Sequence, residues 1–165
     1  MQDPQAVLTS LANAPGIIVP LVREIPVELL KRRPKPGRWS AHEHACHLAE
    51  VHSLFFLRLD LMLSETHPRI RPYDADRAMA SESALLQVDL DQALTRFESD
   101  RKSLVEKLGR LSDTDWHRTA DHPEYTRYSI FLMFRHLALH DLLHAYRIEE
   151  ILVKRDWDKT ADCNG

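Results

Sequence analysis

The sequence predicts an all-α protein built as a single four-helix bundle, and three observations carry that expectation. Only four of the 165 residues are glycine. Long segments place apolar residues at i, i+3, i+4 and i+7, the helical period. A hydrophobic content of 44% in a chain of this length is enough for one sizeable core. One domain over residues 1–157 is expected, with 158–165 as a frayed tail.

Taken in order, Ala6 to Ala14 reads as a helix that Pro15-Gly16 interrupts. It resumes from Ile17 to Leu30 with Pro20 and Pro26 in its path, so the first helix is expected to be bent or segmented. The run Arg33-Pro34-Lys35-Pro36-Gly37-Arg38-Trp39 cannot continue a helix and reads as a loop with an aromatic anchor. Ser40 with Glu43 three residues later has the capping-box spacing, which starts a second helix over Ala41 to Ser64.

Pro68 and Pro72 mark a long connection over residues 67–77. Leu85 to Leu108 then shows helical spacing with Gly109 at the stop position. Leu111 to Tyr128 is polar, contains Pro123 and holds at most a short turn or hairpin, after which Ser129 caps a fourth helix from Ile130 to about Lys154. Two extended connections between four long helices fit a bundle with non-trivial connectivity.

Charge narrows the partners. Lys plus Arg number 22 and Asp plus Glu 25, a net charge of −3, which provides no general attraction to nucleic acid or to an anionic membrane. Cys46 and Cys163 form neither a CxxC pair nor a disulfide framework, and a reducing, cytoplasmic setting is the expectation. The N-terminus lacks a basic segment followed by an apolar one, and no segment approaches the ~18 consecutive apolar residues of a spanning helix. A mature, soluble chain is expected, acting on a small molecule.

Histidine is the unusual entry, with ten in the chain. His136, His140 and His144 recur every four residues on the fourth helix. Positions four apart lie about 40° apart around the axis and about 6 Å along it, so neighbours can share one ion. A bare HxxxH is as readily a solvated polar face, and the face decides. Met133, Leu137, Leu143, His144, Ile148 and Ile151 fall within about 80° of His140, which places the pair in the apolar stripe.

On the second helix Val51, Leu54, Leu61 and Met62 lie within about 60° of His47, as do Glu50 and Arg58. His47 therefore points inward. His44 and His136 stay undecided between ligand and neighbour, while His42, His52, His67, His117 and His122 read as surface or loop.

A buried polar group without a partner costs about 1–3 kcal/mol, so converging imidazoles must be satisfied by something. Without a nearby cluster of carboxylates, one divalent transition metal satisfies His47, His140 and His144 better than hydrogen bonds to Glu50 or buried water. Zinc or nickel suits nitrogen donors, whereas calcium and magnesium prefer oxygen. Three protein ligands leave room for water or substrate, as catalytic sites do. His140-Asp141-Leu142-Leu143-His144 has Asp where a zincin carries its general base, and no Glu precedes either histidine by three, so zincin and di-iron readings fail.

These residues resemble the DinB/YfiT-like superfamily over nearly the whole chain. The likeness rests on Arg33 to Ser40 leading into a helix with His47-Leu48, and on the late helix from His136 to Ile148. The family's metal triad, one His from the second helix and an HxxxH pair from the last, matches His47, His140 and His144. The resemblance implies an up-down-down-up bundle, often homodimeric, that binds zinc, nickel or a similar ion. Some branches are thiol-dependent S-transferases or isomerases using bacillithiol, mycothiol or a related low-molecular-weight thiol, and others are metal-dependent hydrolases. Members often carry a further His just before the last ligand and Gln three residues after it, where this chain has Leu143 and Arg147.

A metal-dependent transferase or hydrolase is thus the leading expectation, with Arg58, Arg147 and Glu50 as pocket candidates. The alternative is a non-catalytic metal-binding stress-response or structural module, whose site would be closed by a fourth ligand such as His136 or His44. A third is that no metal binds in the cell. Phe131, Ala138, Leu142 and Ala145 form a second apolar stripe opposite His140, which points to a homodimer.

Overall fold

The computed structural model describes residues 2–71 and 84–154. The predicted tail at 158–165 and part of the connection after Arg71 lie outside the described residues. The elements are α1 (Pro4–Glu24), α2 (Val27–Leu30), α3 (Ala41–Ser64), α4 (Leu90–Leu108), α5 (Asp113–Trp116) and α6 (Ile130–Val153). Among the described residues there are no strands, only the isolated bridge pairs Arg69–Asp121 and Thr119–Ser129.

Local chemistry sets most of the helix ends. The capping box at Ser40 and Glu43 is complete: each side chain takes the backbone N–H of the other. Glu43 is fully buried and accepts from Arg33 of the preceding loop as well. Replacing Ser40 by alanine is expected to cost about 1 kcal/mol, readable as a lowered denaturant midpoint. Ser129 caps α6 by accepting from the amide of Leu132. At the start of α4, Asp89 accepts from the amide of Gln92, so the helix begins five residues later than the spacing alone predicts.

The first helix corrects the prediction. Pro15 and Pro20 lie inside a continuous α1, so no interruption forms at Pro15-Gly16, and of the prolines in its path only Pro26 breaks the helix, before the short α2. A proline inside a helix removes one N–H and strands the carbonyl four residues earlier. For Pro15 that carbonyl belongs to Leu11, and the buried Arg101 of α4 donates Nη1 to it at 3.2 Å. For Pro20 it belongs to Gly16, which is exposed to water. Both costs are met, so the helix runs on. α1 is long and apolar enough to cross a membrane by length and composition. Here it forms a wall of the bundle, with Leu11, Ile18 and Val22 buried.

Two core layers give the helix directions. One joins the C-terminal half of α1 (Ala14, Ile18, Val22), the start of α3 (Ala45, Leu48), the start of α4 (Leu94, Phe97) and the end of α6 (Ile148, Ile151). The other joins the start of α1 (Val7, Leu11), the end of α3 (Phe55, Leu59, Met62), the end of α4 (Leu104, Leu108) and the start of α6 (Met133, Phe134, Leu137). α1 and α6 therefore run one way and α3 and α4 the other, which is the up-down-down-up order. α3 and α1 each pack between α4 and α6.

Candidate metal centre

Because α3 and α6 are antiparallel neighbours, His47 from the early part of one meets His140 and His144 from the later part of the other. His47 Nε2 and His144 Nε2 each lie 3.1 Å from His140 Nε2. One ring nitrogen from each of the three falls within 4.8 Å of the others. Trp39, the anchor of the loop before α3, closes over them, with its ring centroid 4.9 Å from His47 and 5.8 Å from His144.

Protons alone do not satisfy this arrangement. A ring nitrogen carries one proton or one in-plane lone pair, so His140 Nε2 cannot make a good hydrogen bond to both neighbours. The other nitrogen of His140, Nδ1, is buried and without a hydrogen-bond partner. A cation at the shared centre would accept all three lone pairs. The donor set is all nitrogen, which fits a divalent transition metal.

Electrostatics keep the three rings in the ligand form. Burial, with neighbouring imidazoles adding to it, pushes His47 and His140 down to about 4 and His144 to about 2. Neutral imidazole is what a metal needs. His44 is likewise lowered to about 4, chiefly by burial, and places Nδ1 2.7 Å from Nδ1 of His144. It thus stands behind the triad as the partner of one ligand's second nitrogen. The other undecided histidine, His136, is exposed and lines a cavity rather than the core.

That cavity, of about 570 Å³, opens beside His47 and His140. Its walls include Val51, Leu54, Phe55, Arg58 and, from the segment before α6, His122, Arg127 and Tyr128. Arg58 Nη1 donates to Tyr128 Oη at 3.3 Å. Burial raises the Tyr128 hydroxyl above its ordinary value, so it stays protonated. Sequence reasoning missed Tyr128 and His122, because the polar stretch before Ser129 carries no periodic signal to place it against the bundle.

The remaining predicted site residues separate. Arg147 pairs with Glu150 at 2.6 Å and lines a different cavity, of about 500 Å³, next to His44. Glu50 is half-buried and lines neither cavity. Leu143, predicted to join the apolar stripe of His140, is 52% exposed. The stripe assigned to a partner is divided: Phe131 and Ala138 are buried against the rest of the bundle, while Leu142 is exposed.

His42 and His52 are corrections of larger consequence, since both were expected at the surface and both are fully buried. α3 is flanked on two sides, so the face away from α6 is covered by α4 and by the turn before it. His42 Nε2 lies 3.1 Å from the Leu85 carbonyl. His52 Nε2 accepts from Nε of Arg101 at 3.0 Å. Arg101, itself buried, also holds the buried Asp141 of α6, with Nη2 3.1 Å from Oδ1. The residue at the zincin base position therefore faces away from the three histidines into a central ionic network.

The profile of the DinB superfamily matches residues 11–148. The chain belongs to the DinB superfamily. A protein of Oceanobacillus iheyensis named "Putative metal-dependent hydrolase" is 27% identical over 150 residues, 91% of this chain and 86% of the relative. One of the same name from Bacillus cereus is 23% identical with the same coverage. The solved structure of YfiT from Bacillus subtilis, described as "a probable metal-dependent hydrolase with an unusual four-helix bundle topology", aligns with a TM-score of 0.81 at 22% identity. That alignment covers 92% of this chain and 86% of YfiT. TT2238, a four-helix bundle protein, aligns at 0.63 and 18% identity over 89% of this chain and 98% of its own. The two structures establish the DinB-like four-helix fold.

Proton linkage gives a direct test of the buried imidazoles. His44, His47, His52, His140 and His144 all sit below their ordinary 6.5 in the folded protein. Below that value the unfolded chain binds more protons than the folded one, so stability falls as the pH falls. In metal-free protein the melting temperature is expected to hold above pH 6.5 and drop steadily from there toward pH 4. A flat melting profile across that window would contradict the burial of these rings.

Proposed function

We propose that this DinB-superfamily protein is a metal-dependent enzyme in which His47, His140 and His144 hold one divalent ion, zinc or nickel, beside the substrate cavity of Arg58 and Tyr128. The observation that carries the proposal is the convergence of one ring nitrogen from each of three histidines, all within 4.8 Å of one another, beside a cavity that His47 and His140 line. Bound there, the ion would supply Lewis acidity, making a water or a low-molecular-weight thiol a nucleophile at neutral pH. The names of the relatives favour hydrolysis. Transfer to a thiol differs only in which nucleophile enters.

The chain's own residues define the rest. Arg58 offers a guanidinium to an anionic or carbonyl oxygen. By donating to Tyr128 Oη it leaves the phenolic proton free to point at substrate. Val51, Leu54 and Phe55 give the cavity an apolar wall. The module alternative requires a site closed by a fourth protein ligand without an adjoining cavity. His44 reaches His144 but is not among the three converging donors, and the cavity is present.

The test is metal analysis of protein prepared without a histidine tag, then turnover of ester, amide and thiol-acceptor substrates with defined metals. Roughly one equivalent of metal is expected, and only traces would sink the reading. Arg58→Ala should raise KM for anionic substrates by about 10- to 100-fold, the loss of a charged hydrogen bond. The cavity and the net charge of −3 support a small-molecule substrate over nucleic acid or a membrane.

Two further expectations belong to the same reading. A second copy would cover the exposed Leu139, Leu142, Leu143 and Tyr146 on α6. Light scattering at micromolar concentration should then give a homodimer, and a monomer would refute it. A reducing, cytoplasmic setting suits Cys46, a free and buried cysteine whose thiol burial pushes up to about 12.

A further inference from the structure

The loop from Pro34 to Trp39 serves the metal centre through its tryptophan alone, which leaves its cations unexplained. Lys35 and Arg38 stand on either side of a turn closed by the Arg38 amide donating to the Lys35 carbonyl at 3.0 Å. Gly37 has φ +73°, a left-handed conformation that side chains rarely adopt. This turn brings Lys35 and Arg38 to the same cavity as Arg147 and Lys154 from the end of α6. Among the described residues the cavity, about 500 Å³, thus gathers four cationic side chains, and Glu150 is the one carboxylate lining it. The protein as a whole carries −3. Its floor includes Trp39 and Ile151, an aromatic and an aliphatic surface.

We propose that this cavity is a second ligand site, for a small anionic molecule carrying a phosphate or carboxylate and a planar or apolar part. Arg38, Lys35 and Lys154 would meet the anion, and Trp39 and Ile151 the apolar part. Arg147 is already held by Glu150, so it sets the field rather than binding alone. The cavity lies on the His44 side of the cluster, whereas the cavity of Arg58 lies on the side of His47 and His140. Trp39 touches the rings of His44, His47 and His144 and lines the cationic cavity, so a ligand seated there rests one side chain away from the metal centre. If the metal reading also holds, the centre is flanked by two ligand cavities, as suits a reaction joining two organic substrates.

The probe is phenyl phosphate, titrated by calorimetry into the full-length protein, with neutral benzyl alcohol as control. Saturable binding of one phenyl phosphate is expected, weakening as salt rises. The double variant Arg38→Glu, Lys154→Glu should weaken it by about tenfold or more. Both residues are exposed, so the double variant should keep the wild-type melting curve. Arg58→Ala, which alters only the other cavity, should leave the tighter binding event and its response at Gly37 and Arg38 unchanged. His140→Ala should leave it unchanged too, which separates this site from the metal reading: loss of metal with binding retained faults neither. Amide shifts at Gly37 and Arg38 and at the Trp39 indole on adding the probe give a readout that needs no variant. Equal binding by the double variant, loss in Arg58→Ala, or shifts confined to the Arg58 cavity would overturn the proposal.

Discussion

Arg101→Ala is expected to destabilise the protein by about 3–5 kcal/mol, because removing one partner of a buried ion pair strands the other charge. Here the loss reaches further than Asp141. The guanidinium also donates to His52 Nε2 and to the Leu11 carbonyl that Pro15 leaves without its helical partner. One substitution would therefore expose three unmet groups on three other helices. Against a typical total of about 5–15 kcal/mol this is a large share. At roughly 2–4 °C per kcal/mol for a chain of this size, the melting temperature should fall by about 10 °C.

Two companion variants separate the causes. Pro15→Ala in the Arg101→Ala background restores the helical N–H to Leu11 and should recover part of the loss. Arg101→Met with Asp141→Leu removes both charges together, and near-native stability would show that the pair contributes specificity more than net stability. A small effect of Arg101→Ala alone, below about 1 kcal/mol, would contradict the burial and bonding of the guanidinium.

The second large effect concerns the metal. His140→Ala removes the imidazole that both His47 and His144 approach. Metal content should fall from about one equivalent to near background, a loss beyond the roughly 10- to 100-fold that follows removal of an outer partner. His44→Ala should fall within that smaller range, since it touches only the second nitrogen of His144. His136→Ala should change metal affinity little, because the ring is exposed at the cavity wall. The graded series distinguishes ligands from their neighbours, and equal losses for His44 and His140 would overturn the assignment. Added metal should also raise the melting temperature of wild type and not of His140→Ala.

Much of the architecture was legible in the chain because it is local. α3 begins and ends where the capping box and spacing place it, and α6 begins after Ser129 as its hydroxyl dictates. The histidine pair and its partner on α3 were legible as well. Four-residue spacing sets two rings on one face, and apolar company on each helix turns those faces inward.

What the sequence by itself determined was therefore the four long helices, the caps at Ser40 and Ser129 and the inward faces of the three converging histidines, all properties of one helix at a time. A helical wheel gives the angle of a side chain about its own axis but not how many sides of that helix its neighbours cover. That is why His42 and His52 were expected in water and are found in the core, covered by α4 and the turn before it. The continuity of α1 through Pro15 was decided only by tertiary structure, for the same kind of reason. The carbonyl that the proline strands is satisfied by a guanidinium on another helix, and such a partner leaves no trace in the spacing of residues along the chain.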